Sequence, residues 1–167
     1  MNCNFGKTVS KSLSILAASA GGAGFLPRMP GTWGTAVAIP IVVWGYETFK
    51  SPAAFRFFIL TWLLLVCLIS ALVLPEVQKL WKETDPTRFV LDEVAGFLVV
   101  PLITGDKLHI SVLLIPGFLL FRLFDISKPP GVRHFDRMKG TFCGVMGDDI
   151  VSGLYAGFIL LILGKLI

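Results

Sequence analysis

From Phe57 to Leu74 the chain runs without a single charged residue. Wound as a helix, a stretch of that length and composition matches the hydrocarbon core of a bilayer. Inside a bilayer every backbone N–H and C=O must find its partner within the protein, so spanning elements are helices or closed barrels. Strand-type alternation persists nowhere along the sequence, which leaves helices. A second clear span runs from Asp149 to Ile167. The composition agrees: 54% hydrophobic and 16% charged, against about 25% charged residues in a soluble domain. At 167 residues the chain is one domain. The expected fold is all-α, a polytopic membrane bundle of about six helical segments, of which roughly four span.

The expected segments are Ser10 to Phe25, Gly34 to Phe49 with a kink at Pro40, Phe57 to Leu74, Arg88 to Ile103, Leu108 to Phe124, and Asp149 to Ile167. Pro75 follows the third, and a polar tail continues through Glu76, Lys79 and Lys82. Lys7 and Lys11 ahead of Leu13 to Ala20 have the outline of a secretory leader, but the apolar core is too short for one, so the first helix is expected to be retained. Cys3, Cys67 and Cys143 form neither a metal nor a disulfide pattern, and Cys67 reads as a small core residue. The net charge of +4 suits anionic lipid headgroups and not nucleic acid, which calls for a concentrated basic stripe. The sequence carries no signal for an oligomeric state.

If the segments cross or dip alternately, the first, third and fifth connections share one face. That face holds Pro30-Gly31-Thr32, Asp92-Glu93 and the whole stretch from Phe121 to Gly153. It also holds more of the 15 basic residues than the other face, which carries Lys7, Lys11, Lys50, Arg56, Lys107 and Lys165. The positive-inside rule then turns the motif face to the cytoplasm.

Acids and bases beside membrane-length segments are a functional hypothesis by default. Two acid pairs each precede a glycine: Asp92-Glu93 before Gly96, and Asp148-Asp149 before Gly153. At a spacing of four, Asp92 shares a helix face with Gly96, and Asp149 with Gly153. A glycine there lets a ligand or another helix approach the carboxylate. Mg2+ prefers oxygen ligands and is held by one or two carboxylates plus phosphate and water, so Asp92, Glu93, Asp125, Asp148 and Asp149 are candidate metal ligands. The plainer reading has these acids complement helix dipoles; it accounts poorly for adjacent pairs. Arg122, Asp125 and Lys128 recur at spacing three, either as a local ion pair or with Lys128 holding a phosphate. Asp136, between Arg133 and Arg137, is a ligand, a general base or a solvated ion-pair partner. Gly31 and Thr32 open a helix whose backbone N–H groups suit an anion, with Arg28 at hand; Thr32 or Thr35 could equally cap it. No Arg follows Cys143 at the spacing of a cysteine-phosphatase loop, Asp125-Ile126-Ser127 lacks the second Asp of the aspartyl-phosphate type, and His109 and His134 do not form a phosphohistidine pair. Were the chain a phosphatase, these absences would leave metal-assisted attack of water on phosphorus.

Three blocks carry a family likeness. They are Pro30-Gly31-Thr32-x-Gly34, then Asp92-Glu93-x-x-Gly96, then Phe121-Arg122-x-x-Asp125-x-x-Lys128-Pro129 continuing through Arg133-x-Phe135-Asp136-Arg137 to Asp148-Asp149-x-x-x-Gly153. In this order the sequence resembles the phosphatidylglycerophosphatase A family. The resemblance implies one membrane phosphatase domain over residues 1–167, in the bacterial inner membrane. It implies Mg2+-dependent hydrolysis of phosphatidylglycerophosphate. Read together with the residues above, catalysis is expected from Asp92, Glu93, Asp125, Lys128, Asp136, Asp148 and Asp149, and substrate contacts from Arg28, Gly31, Thr32, Arg122 and Arg133. Gly131, His134 and Gly147 depart from the family pattern, which bears on loop geometry and not on the acids. Two other classes compete. A phosphoalcohol transferase of lipid synthesis would show a D-G-x-x-A-R signature, which is missing. A cation transporter or lipid-binding protein would hold its acids at the bilayer midplane.

Overall fold

The computed structural model describes residues 4–105 and 109–164, with side chains from residue 11 onward. The described residues form α1 (Asn4–Ala18), a single 3-10 turn at Ala23–Phe25, α2 (Pro30–Thr48), α3 (Pro52–Trp81), α4 (Leu91–Thr104), α5 (Ile110–Ser127), α6 (Pro130–Asp136) and α7 (Phe142–Leu163). They contain no strand. Cys3, Lys7 as a side chain, Lys107 and Lys165 lie outside what is described.

The chain is an all-helical membrane bundle. Among the described residues, α3, α5 and α7 are long and apolar enough to cross a bilayer. α2 matches them in length, but its Gly, Thr and Pro residues dilute its apolar character. Proline at the first helical position starts α2, α3 and α6, where its missing N–H leaves nothing unpaired. Pro40, Pro75, Pro101 and Pro116 lie inside helices, as packed membrane helices tolerate. Thus α3 does not stop at Pro75 but carries the polar tail on to Trp81.

α4 is the hub. Its 14 residues rise about 21 Å, short of a hydrocarbon core of about 30 Å. It packs against α2, α3, α5 and α7, and nearly every residue from Leu91 to Thr104 is buried. A helix apolar all round has no face to give to water and belongs in a core. Phe97 of α4 meets Phe118 and Phe121 of α5 edge to face. The Ser14 hydroxyl of α1 donates to the Glu76 carboxylate of α3.

Two boundaries differ from expectation in ways that matter for the site. Pro129-Pro130 ends α5, but Pro130 at once begins α6, in a stretch expected to be loop. α7 begins at Phe142, well before Asp149. Gly144 and Gly147 weaken helix propensity locally, and tertiary contacts override it. A Cβ on Gly147 would collide with the Phe135 ring of α6, at 2.8 Å from its Cγ. The departure from the family pattern at Gly147 therefore makes room for a neighbouring aromatic.

Candidate active site

α4 and α7 run in the same direction and touch at their glycines. A Cβ on Gly96 would lie 2.7 Å from the Asp149 carbonyl oxygen, and one on Gly153 would overlap the Gly96 carbonyl oxygen. Further along, Gly157 meets Ile103. Backbones this close fix the register of the two helices, and one turn before each glycine stands an acid. Asp92, Glu93 and Asp149 each bring one carboxylate oxygen into a group spanning no more than 4.8 Å. Of the two readings of these glycines, the structure shows helix approach.

Glu93 points from α4 toward α2, where Gly31 and Gly34 leave space for it. A Cβ on Gly34 would stand 3.4 Å from Glu93 Oε2. One on Gly31 would meet Glu93 Oε1 and would lie 3.0 Å from Arg122 Nη1. The glycine-rich start of α2 thus seats an acid from α4 and a guanidinium from α5. α2 has no side-chain cap; its N-cap is Met29, and the Thr35 hydroxyl donates instead to the Gly31 carbonyl.

The remaining acids gather around Lys128. This residue follows α5 in a left-handed conformation, φ 49°, which turns its side chain back over the site. Its ammonium donates to Asp148 Oδ2 at 2.5 Å and lies 3.1 Å from Asp136 Oδ1 and 3.8 Å from Asp125 Oδ1. Arg122 Nη1 sits 2.7 Å from Asp125 Oδ2, an ion pair off the line of a hydrogen bond, so the buried Nε and Nη1 groups have no hydrogen-bond partner. Burial works to lower the Lys128 pKa, but the hydrogen bond and charge of Asp148, then Asp136 and Asp125, outweigh it and hold the ammonium above its usual range. Asp92 goes the other way. Burial first, then Glu93 and Asp149 beside it, push its carboxyl well above the ordinary carboxylate range.

The acids therefore divide into two sets. Asp92, Glu93 and Asp149 crowd together, and Glu93 Oε2 and Asp149 Oδ1 are buried without a hydrogen-bond partner. Asp125, Asp136 and Asp148 share the single positive charge of Lys128. Both sets line one cavity of about 330 Å³, with Gly31, Arg122 and Lys128 in its wall. A dipole-complementing role fits Asp92 and Glu93, which lie in the first turn of α4. It does not fit Asp148 and Asp149, because α7 has no acid in its first turn and the dipole effect fades beyond it.

Arg28, Thr32 and Arg133 are not in the cavity wall. Arg28 and Arg133 are exposed, and the Thr32 hydroxyl is buried without a hydrogen-bond partner. The wall also includes Met29, Asp85, Thr87, Ile126 and Lys139, none of which the sequence marked as site residues. Asp85 and Thr87 sit in the α3–α4 connection with no periodicity around them, and only the fold carries that connection to the cavity.

Fold and cavity together define a membrane helical bundle with an oxygen-rich, cation-flanked pocket of the kind a phosphoryl group requires. The sequence profile of the family described as phosphatidylglycerophosphatase A matches residues 16–164. The chain belongs to that family and is a phosphatase. It is 32% identical over 145 residues, 86% of this chain and 78% of the relative, to phosphatidylglycerophosphatase A of Escherichia coli. Over 143 residues it is 31% identical to the protein of the same name from Haemophilus influenzae, covering 81% of this chain and 78% of the relative. A Bacteroides thetaiotaomicron protein, named as a candidate phosphatidylinositol-3-phosphatase, is 36% identical over 156 residues, 92% of this chain and 94% of its own length. No solved structure matches the chain.

Proposed function

We propose that the chain is a Mg2+-dependent lipid phosphatase that converts phosphatidylglycerophosphate to phosphatidylglycerol and phosphate. It acts as a multi-pass protein of a bacterial inner membrane, with its cavity open to the cytoplasm. The observation that carries the reading is the Asp92, Glu93 and Asp149 oxygens converging beside Arg122 and Lys128 in one cavity. Hard oxygen donors suit Mg2+. Three carboxylates packed together with two buried, unpartnered oxygens are costly while ionised, and a bound cation between them relieves that cost. The residues present therefore fit the ion, with Asp92, Glu93 and Asp149 as its holders and Asp125 and Asp148 one layer out. When bound, Mg2+ supplies charge neutralisation at the phosphoryl group and lowers the pKa of attacking water.

The chain's own residues do the rest. Arg122 has N–H groups free to donate to phosphate oxygens, and Gly31 leaves the guanidinium room beside α2. Lys128 offers a point charge held in place by three carboxylates. Asp136, the most exposed of Lys128's partners, stands where water enters and could take its proton. Asp125 keeps Arg122 and Lys128 on the same side of the reacting group. The acids lie at the start of α4 and the beginning of α7, near one end of the bundle, which favours an enzyme over a midplane cation path.

The Bacteroides relative supports a second reading, phosphatidylinositol 3-phosphate as the substrate. Both lipids present a phosphomonoester on a polyol headgroup. Phosphate release from each, and from phosphatidic acid, would be measured in mixed micelles with Mg2+ and with EDTA. Mg2+-dependent release, fastest from phosphatidylglycerophosphate, is expected. Faster release from the inositol lipid would move the substrate to the second reading, and full activity in EDTA would remove the metal.

A further inference from the structure

The exposed rim of the cavity is apolar in one part and polar in another. Met29, just before α2, and Ile126, in the last turn of α5, line the cavity yet remain 58% and 63% exposed. The rest of the exposed rim, Asp85, Thr87 and Lys139, comes from the α3–α4 and α6–α7 connections. α2 and α5 meet just inside the apolar part, where Gly31 faces Arg122. Arg122 is one helical turn before Ile126, so the charged floor lies directly behind the apolar lip. From that lip the exposed apolar surface continues through Trp33 in the first turn of α2 and, at spacings that keep them on one helical face with Ile126, through Leu123 and Leu119 on α5.

We propose that the acyl chains of the substrate leave the cavity over the lip formed by Met29 and Ile126, into the bilayer between the start of α2 and the end of α5. The lipid then enters sideways with its chains still in hydrocarbon, and the polar rim admits water and releases phosphate. This inference rests on the lipid-phosphatase reading and extends it by assigning where the diacyl part lies. A lipid lifted wholly into the cavity would expose its methylenes to water, which is unfavourable. A lip of Met and Ile, continuous with the lipid-facing surface and adjoining the phosphate-binding cations, avoids that. Asp85, Thr87 and Lys139 give hydrocarbon no comparable path.

The first test uses phosphatidylglycerophosphate carrying a photoreactive diazirine near the glycerol end of an acyl chain, in phosphatidylcholine vesicles with the full chain. Adducts are expected on Met29 and Ile126 and should disappear when excess unlabelled substrate is added. Leu72, 70% exposed on α3 and outside the cavity wall, should label weakly and without competition. Equal, uncompeted labelling at all three would overturn the proposal. The second test compares the diacyl substrate with its deacylated headgroup. In Met29→Asn/Ile126→Asn the ratio of kcat/KM, diacyl over deacylated, should fall about tenfold, the size expected when a few methylenes lose apolar contact. Leu72→Asn should leave the ratio unchanged. An unchanged ratio in the double variant would sink the proposal. If the wild-type chain releases no phosphate from any lipid while competed labelling of the lip persists, the hydrolysis reading fails and the lip stands.

Discussion

At the scale of single residues, Asp149 separates charge from shape. It is buried, its Oδ1 has no hydrogen-bond partner, and it completes the three-carboxylate group. Asp149→Asn keeps the volume and removes one negative charge. Mg2+ half-saturation should rise by at least the roughly 10–100-fold that loss of an outer-shell partner costs a metal site, and phosphate release should fall with it. The same variant should unfold at a higher temperature than wild type in EDTA, because it relieves repulsion among crowded carboxylates by about 1 kcal/mol. A variant of ordinary Mg2+ response and unaltered EDTA stability would take Asp149 out of the site. Lys128→Ala should behave differently. It leaves Asp148, Asp136 and Asp125 without their shared cation, so the loss should be about 1–3 kcal/mol of stability, read by thermal unfolding. KM should rise more than the Mg2+ requirement changes. If only the Mg2+ requirement moved, Lys128 would belong with the metal and not with phosphate.

At the scale of elements, the site depends on two helices that lack side chains where they cross. Gly96→Ala puts a methyl 2.7 Å from the Asp149 carbonyl oxygen, and the obstacle is backbone, which cannot rotate away. Overpacking of this kind costs about 1–3 kcal/mol. Spreading α4 from α7 also moves Asp92 away from Asp149, so Mg2+ affinity should fall beyond what the stability loss explains. Unfolding in detergent and Mg2+ titration on the same sample would check both. A normal Mg2+ response in a destabilised variant would uncouple the crossing from the site. Gly147→Leu makes the matching case at the α6–α7 contact. It displaces the Phe135 ring, whose neighbour Asp136 partners Lys128, so it should raise KM while leaving the α4–α7 crossing intact.

At the scale of the whole molecule, the question is which way the cavity faces. Cys143 is exposed in the first turn of α7, close in sequence to the cavity-lining Gly144 and Val145, so its accessibility reports the side on which the cavity opens. With Cys3 and Cys67 replaced by Ser, a membrane-impermeant maleimide should leave intact cells unlabelled and react after lysis. Ready labelling of intact cells would place the cavity on the outer side and reverse the positive-inside argument.

Much of this protein is written in its sequence. Long uncharged runs without strand-type alternation read as membrane helices, because the bilayer leaves the backbone only partners within the protein. The acid–glycine spacing of four, repeated at Asp92–Gly96 and Asp149–Gly153, already put each acid and its glycine on a shared face. The sequence could not show that the two faces pack on each other, or that α4 is a buried hub too short to cross. Helix starts at Phe142 and Pro130 were illegible because Gly144, Gly147 and the double proline weaken local propensity, and contacts distant in sequence override it. The division of the acids into a metal-sized trio and a lysine-bound set also belongs to tertiary structure alone. Spacing along a chain places side chains on faces, whereas the distance between carboxylates on different helices is set by how closely backbones can approach.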